Sequence, residues 1–186
     1  MRHTHPLSAT TDSSTGALLV PERQCGECQV CCEALRIEEA ELKKPPGVAC
    51  RFLGRGCTIH ANRFSVCRNW FCGWRLQPQL DDSWRPDRSG VLLVPEMNPT
   101  PGFETHGYTM QLASPAPLSS PEILNRLCGF IAGHTPLYLA LAGHQTKALA
   151  NPLLAPLIAA GNAGAIMAAL GALVRDLTTP RQIRQA

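Results

Sequence analysis

Apolar residues in the second half of this 186-residue chain fall into short runs separated by turn residues. Gly90-Val91-Leu92-Leu93-Val94, entered through Arg85-Pro86-Asp87-Arg88-Ser89, reads as a buried strand. Tyr108-Thr109-Met110-Gln111-Leu112 alternates and reads as a second strand, and Leu137-Tyr138-Leu139-Ala140-Leu141 as a third. Ser119-Ser120-Pro121-Glu122 is a helix start, with a Ser cap, Pro at the first position and an acid in the first turn. The helix that follows carries Ile123, Leu124, Leu127, Cys128 and Ile131 on one face and ends near Gly133. Leu153 to Val174 is a stretch of 22 residues without a charge, long enough to span a bilayer on length alone. Pro156, Gly161, Asn162, Gly164 and Gly171 interrupt it. The pattern therefore predicts two packed helices joined at Gly161-Asn162. The second runs through Ile166, Leu170, Leu173 and Val174 and is closed by Pro180.

The front of the chain is patterned differently. Residues 1 to about 20 are polar, rich in Ser and Thr, and aperiodic, which predicts a disordered tail. Glu33 to Lys44 predicts a short helix or helical turn, stopped by Pro45-Pro46-Gly47. A second helical stretch is expected around Ala61 to Trp70. No internal repeat is present. The expected fold class is α+β: a single cysteine-cluster domain over 21–180. In it a small metal-organised region, with ligands within 25–72, packs on a mixed remainder over 77–180 with a few strands and two or three helices.

Composition changes the picture at one point. The apolar fraction of 45% and charged fraction of 17% describe a chain that can bury a core. The net charge of +3 is too balanced to predict attraction to a membrane or nucleic acid from charge alone, and there is no basic helix with interleaved aromatics. The decisive feature is cysteine. Of nine, eight lie between Cys25 and Cys72, and Cys128 stands alone. The N-terminal residues lack the apolar run of a secretory signal, so the expected compartment is the cytoplasm, where thiols stay reduced. There, clustered cysteines read as metal binding or redox chemistry before disulfides.

The spacing supports that chemistry. In Cys25-Gly26-Glu27-Cys28-Gln29-Val30-Cys31-Cys32, cysteines three apart can grip one ion while the backbone folds around it. Iron–sulfur runs use the same step. Adjacent Cys31 and Cys32 are hard to place on one tetrahedral ion, so one of them serves a second ion, a second edge of a cluster, or a redox role. The Gly54-Arg55-Gly56 turn can pair Cys50 with Cys57 as a hairpin, and Cys67 and Cys72 follow on a helix or turn. Eight thiolates suit two four-sulfur zinc sites, and equally one iron–sulfur cluster with cysteines left over. Arg51, Arg55, Arg63, Arg68 and Arg75 sit beside the later cysteines, where cations favour thiolate.

These residues carry a resemblance. Cys25-x-x-Cys28-x-x-Cys31-Cys32, then Cys50 to Cys57, Cys57-Thr58-Ile59-His60 and Arg63-x-x-x-Cys67-Arg68, resembles the YkgJ-type cysteine-cluster family. The likeness extends through Trp70-Phe71-Cys72-Gly73-Trp74 and more loosely through Asp81 to Asp87, covering about 65 residues. That family is described as a zinc- or iron-chelating domain. The resemblance implies Cys25, Cys28, Cys31, Cys32, Cys50, Cys57, Cys67 and Cys72 as metal ligands, and zinc or iron, the latter also as an iron–sulfur cluster, as the cofactor. Larger relatives include flagellin lysine methylases, so an iron–sulfur-dependent enzyme is the alternative it implies. His60 stands where the family usually has Tyr, which leaves it open as an extra ligand, and Phe64 where it usually has Pro.

Other residues read more plainly. Cys128 shares a helix face with Leu124, Leu127 and Ile131 and is expected in the core. His106, His134 and His144 lack ligand spacing and read as loop residues. Trp70, Trp74 and Trp84 are expected as a hydrophobic lid over the cysteines. Gly161-Asn162-Ala163-Gly164 follows no strand, so no Gly-rich strand–turn–helix for a methyl-donor cofactor is present. A zinc-organised adaptor is the remaining class. The expected partner is a metal ion, with no membrane or nucleic acid and no protein partner identifiable from the residues.

Overall fold

The computed structural model describes residues 19–144 and 146–179. The tail expected over residues 1–20 lies almost wholly outside the described residues, as does the helix stop expected at Pro180. The fold is α+β, as the pattern predicts.

The cysteine-rich front half contains short elements only. Helix α1 (Val30–Ala34) ends where Leu35 turns extended. Strands β1 (Ile37–Glu38) and β2 (Lys43–Lys44) then pair antiparallel. This corrects the helix expected over Glu33 to Lys44. An isolated helix of that length is marginal in water. The hairpin instead buries Ile37 and Leu42 and returns Lys44 to the end of α1, where its ammonium donates to the Glu33 carbonyl at 2.9 Å. Strands β3 (Leu53–Gly54) and β4 (Gly56–Cys57) form the second hairpin, turning where the two glycines predict. The helical stretch expected at Ala61 to Trp70 is two separate turns, a 3₁₀ turn over His60–Asn62 and helix α2 (Ser65–Arg68), because Arg63 is extended.

Helix α3 (Gly73–Leu76) is the joint between the halves. A Cβ placed on Gly73 would stand 2.6 Å from Leu93 Cβ and 3.4 Å from Tyr108 Cε1. Only glycine lets the backbone that follows Cys72 lie this close to the sheet. Trp74 is buried with Cys72 and Trp84 in the main core, and Trp70 packs partly buried against it. The tryptophans are therefore core wall rather than the expected lid. Helix α4 (Pro86–Ser89) closes on Gly90, whose φ of 68° is left-handed and ends the turn cleanly into the sheet.

The sheet has four strands in the order β5 (Val91–Pro95), β6 (Tyr108–Leu112), β7 (Leu137–Leu141), β8 (Lys147–Leu149). β5 and β6 are antiparallel. β6 and β7 are parallel, joined by helix α5 (Pro121–Ala132), as a parallel pair requires a crossover. β8 is antiparallel to β7 and is the strand that the pattern misses, being only three residues long. The Ser120 side chain caps α5 by accepting from the Ile123 amide. Helices α6 (Asn151–Ala159) and α7 (Ala163–Thr178) are the two expected pieces, joined through Gly161 at φ 63° and capped by Asn162 accepting from Ala165 at 2.9 Å. Buried Asn151 fixes the start of β7, accepting from the Leu137 amide at 2.7 Å and donating to the Thr135 carbonyl at 2.9 Å. No helix among the described residues is long and apolar enough to cross a membrane.

Gly73→Ala is expected to destabilise the chain by about 1–3 kcal/mol, because the added methyl cannot be housed without moving α3 off β5. A denaturant melt checks this; an unchanged midpoint would show that α3 does not rest on Leu93.

Candidate metal centre

The backbone gathers the eight cysteines from four directions. A tight turn with the Cys28 amide bonded to the Cys25 carbonyl at 2.9 Å, and Gly26 at φ 53°, forms the first pair. Cys31 and Cys32 sit on α1, which starts immediately after that turn. The Cys50 amide donates to the Cys32 carbonyl at 3.1 Å, so the chain entering the second hairpin is tied to α1. Cys57 lies opposite Leu53 in that hairpin. Cys67 is on α2, and Cys72 precedes α3.

All nine cysteines are free thiols. Cys72 is buried and the other eight are half-buried. Burial pushes the thiols of Cys28, Cys67 and Cys72 up, that of Cys72 to about 11, because a thiolate loses its hydration there. Opposing this, the amides of Val30 and Asp87 donate to Cys28, and those of Trp74 and Arg75 donate to Cys72. Amides aimed at sulfur favour the thiolate. The adjacent Cys31 and Cys32 hydrogen-bond through their side chains. This holds Cys31 protonated and pulls Cys32 down to about 7, with Lys44 and Arg63 adding their attraction.

The cations are placed with care. Lys44 is only 4% exposed, and its ammonium donates to the carbonyls of Glu33, Pro45 and Val48 at 2.9, 3.1 and 2.6 Å. Desolvation lowers its pKa, while Cys50, Cys32 and Cys31 hold it up. The Arg75 guanidinium donates through Nη1 to Cys25 Sγ at 3.8 Å. The Nε atoms of Arg63 and Arg75 are buried without a hydrogen-bond partner among the described residues. A buried unmet donor costs about 1–3 kcal/mol, and both of these sit in thiol-bearing surroundings that an anionic metal–thiolate centre would complement.

Thus contacts tie the cysteine-bearing segments to one another, the Cys50 amide to Cys32 and Arg75 to Cys25, with Lys44 on the carbonyls beside α1. The donor type suits zinc or iron. Among the described residues, however, no three His, Cys, Asp or Glu side chains stand as a ready-made group that could hold a metal ion. His60 is exposed and engaged with Arg63. Cys128 packs against the core from α5, as its helix face predicts. Sequence reasoning missed two residues. Asp87 accepts a hydrogen bond from the Cys28 thiol and is held by Arg85 through two bonds of 2.7 Å. The burial of Lys44 has no sign in the sequence, since lysine is rarely found inside. The loose likeness over Asp81 to Asp87 was the available signal for Asp87.

No protein family, no curated protein and no solved structure matches the chain.

In the reduced, metal-free protein at pH 7.5, iodoacetamide is expected to label Cys32 first, because its thiolate fraction rises through a pH of about 7. Cys28, Cys67 and Cys72 should react only as the pH is raised further. Peptide mass mapping over a pH series checks the order; Cys72 labelling ahead of Cys32 would contradict it.

Proposed function

We propose that this chain is a metal-binding protein whose clustered thiolates chelate zinc or iron, the iron as single ions or as an iron–sulfur cluster. The single observation that carries this reading is the set of eight free, half-buried or buried thiols within one cysteine-rich region, with Lys44, Arg63 and Arg75 buried or half-buried beside them. Cysteines at this density without disulfides are not explained by packing. The resemblance of their spacing to YkgJ-type chelating domains supports the same reading.

The residues would divide the work as follows. The cysteines supply sulfur donors, each giving up a proton on binding. The amides of Val30, Asp87, Trp74 and Arg75 and the guanidinium of Arg75 steady the sulfur charge. Lys44 and Arg63 do the same around Cys32. Bound metal supplies a fixed positive charge, and redox capacity where it is iron. A reducing cytoplasm is the compartment that keeps these thiols available.

Protein purified without oxygen should contain zinc or iron by elemental analysis, with a visible spectrum separating colourless zinc from a brown cluster. Cys28→Ser should lose most of the metal and Cys128→Ser none. Equal retention in both, or metal-free protein throughout, would defeat the proposal.

A further inference from the structure

We propose that the cleft between the end of α3, strand β6 and helix α5 is a binding site for a small organic carboxylate with a flat apolar body. No cysteine lines it, and it does not depend on the metal-binding reading.

The cleft has a volume of about 320 Å³, at the low end of the range that small-molecule sites occupy. One wall is aromatic. The rings of Tyr108 and Phe130 stand with centroids 5.7 Å apart and planes tilted by 41°. A tilted aromatic pair can take a third ring against a face or an edge.

The rest of the lining is rich in donors and holds no acid. Gln79 Nε2 donates to Gln77 Oε1, and Gln77 Nε2 in turn donates to the Tyr108 hydroxyl oxygen. Tyr108 is thereby the acceptor toward Gln77, and its own O–H has no acceptor among the described residues. Burial raises the pKa of that phenol, which keeps its proton in place. Arg126 commits Nη2 to the Gln79 carbonyl at 2.9 Å and makes no ion pair among the described residues. Asp81, on whose charge Arg126 acts, already accepts from the Ser83 amide and hydroxyl and lies outside the lining. The guanidinium keeps further N–H donors in one plane, a geometry that a carboxylate matches with two bonds. Exposed His106 adds a ring nitrogen. One guanidinium and one hydroxyl suit a single carboxylate, and the aromatic wall favours an acid that carries a ring over a bare oxyanion.

Two glycines shape the cleft. Gly129 stands inside α5, where glycine costs backbone freedom. Its φ is not left-handed and a Cβ there would meet nothing within 4 Å, so neither conformation nor packing requires glycine. Its missing side chain leaves room in the cleft that it lines. At Gly107, by contrast, a Cβ would collide with the Pro136 carbonyl. That close approach, and the bond of 2.9 Å from the Tyr108 amide to the same carbonyl, fix the segment of His106 and Tyr108 beside Thr135 before any ligand arrives. A site set in advance loses little freedom on binding.

The test titrates the full chain, labelled with nitrogen-15, with benzoate, benzamide and inorganic phosphate in turn, and follows the amide spectrum. Benzoate should bind with a Kd of about 1 mM or tighter and move the amides of Tyr108, Gly129 and Thr135. Benzamide has the shape without the charge, and phosphate the charge without the ring; each should bind at least about tenfold more weakly. Tyr108→Phe, which keeps the ring, should weaken benzoate about tenfold. Gly129→Leu should fill the cleft and abolish binding with the rest of the spectrum unchanged, since the position is exposed and open. Benzamide or phosphate binding as tightly as benzoate would overturn the ligand class. Shifts confined to residues 25–72, or undiminished binding by Gly129→Leu or Tyr108→Phe, would overturn the site. No shift with benzoate at about 20 mM would overturn both.

Discussion

The cysteine-rich half depends on one close approach, the docking of the Cys72-Gly73-Trp74 turn onto the sheet. That half has little apolar substance of its own: Ile37 and Leu42 are buried in it, and its strands are two residues long. Such hairpins are not stable alone. Gly73 resting on Leu93 and Tyr108 carries Trp74 and Cys72 into the core of the larger half. Arg23 then grips the carbonyls beyond Trp74 and draws the Cys25 turn alongside. The position of the first thiols is thus set from the sheet outward.

Burial and charge pull the thiols in opposite directions. Desolvation favours the neutral thiol at Cys28, Cys67 and Cys72, while inward-pointing amides, Lys44 and two guanidinium groups favour sulfur carrying charge. A chain stabilised only by packing would have no use for buried cations beside sulfur, since each cation costs hydration energy. A metal ion ligated by the thiolates, as proposed, would relieve the conflict, since it would take the place of the thiol protons and leave a net negative sulfur shell for Lys44, Arg63 and Arg75 to face.

Elements with strong local signals match their sequence closely. Tyr108–Leu112 and Leu137–Leu141 occupy the predicted positions, and Ser120 and Asn162 cap the helices that they were expected to open. In each case alternation or a cap is encoded within a few residues of where it acts. The helix expected over Glu33 to Lys44 fails for the converse reason. Its local helix preference is weak against the distant gain of burying Ile37 and Leu42 and of seating Lys44 on carbonyls.

The candidate site divides in the same way. Which residues could be ligands was legible, because cysteine density and three-residue spacing are properties of the chain itself. Where their segments lie was not. The Cys25 turn and the Cys72 turn are 47 residues apart in sequence, yet Arg23 grips the carbonyls beyond Trp74 and Arg75 reaches Cys25 Sγ, contacts that follow from the seat of Gly73 on a strand that spacing cannot see. Local chemistry is written in short windows of sequence, whereas the convergence of distant segments is a balance of burial over the whole fold, and it exists only once the chain has closed on itself.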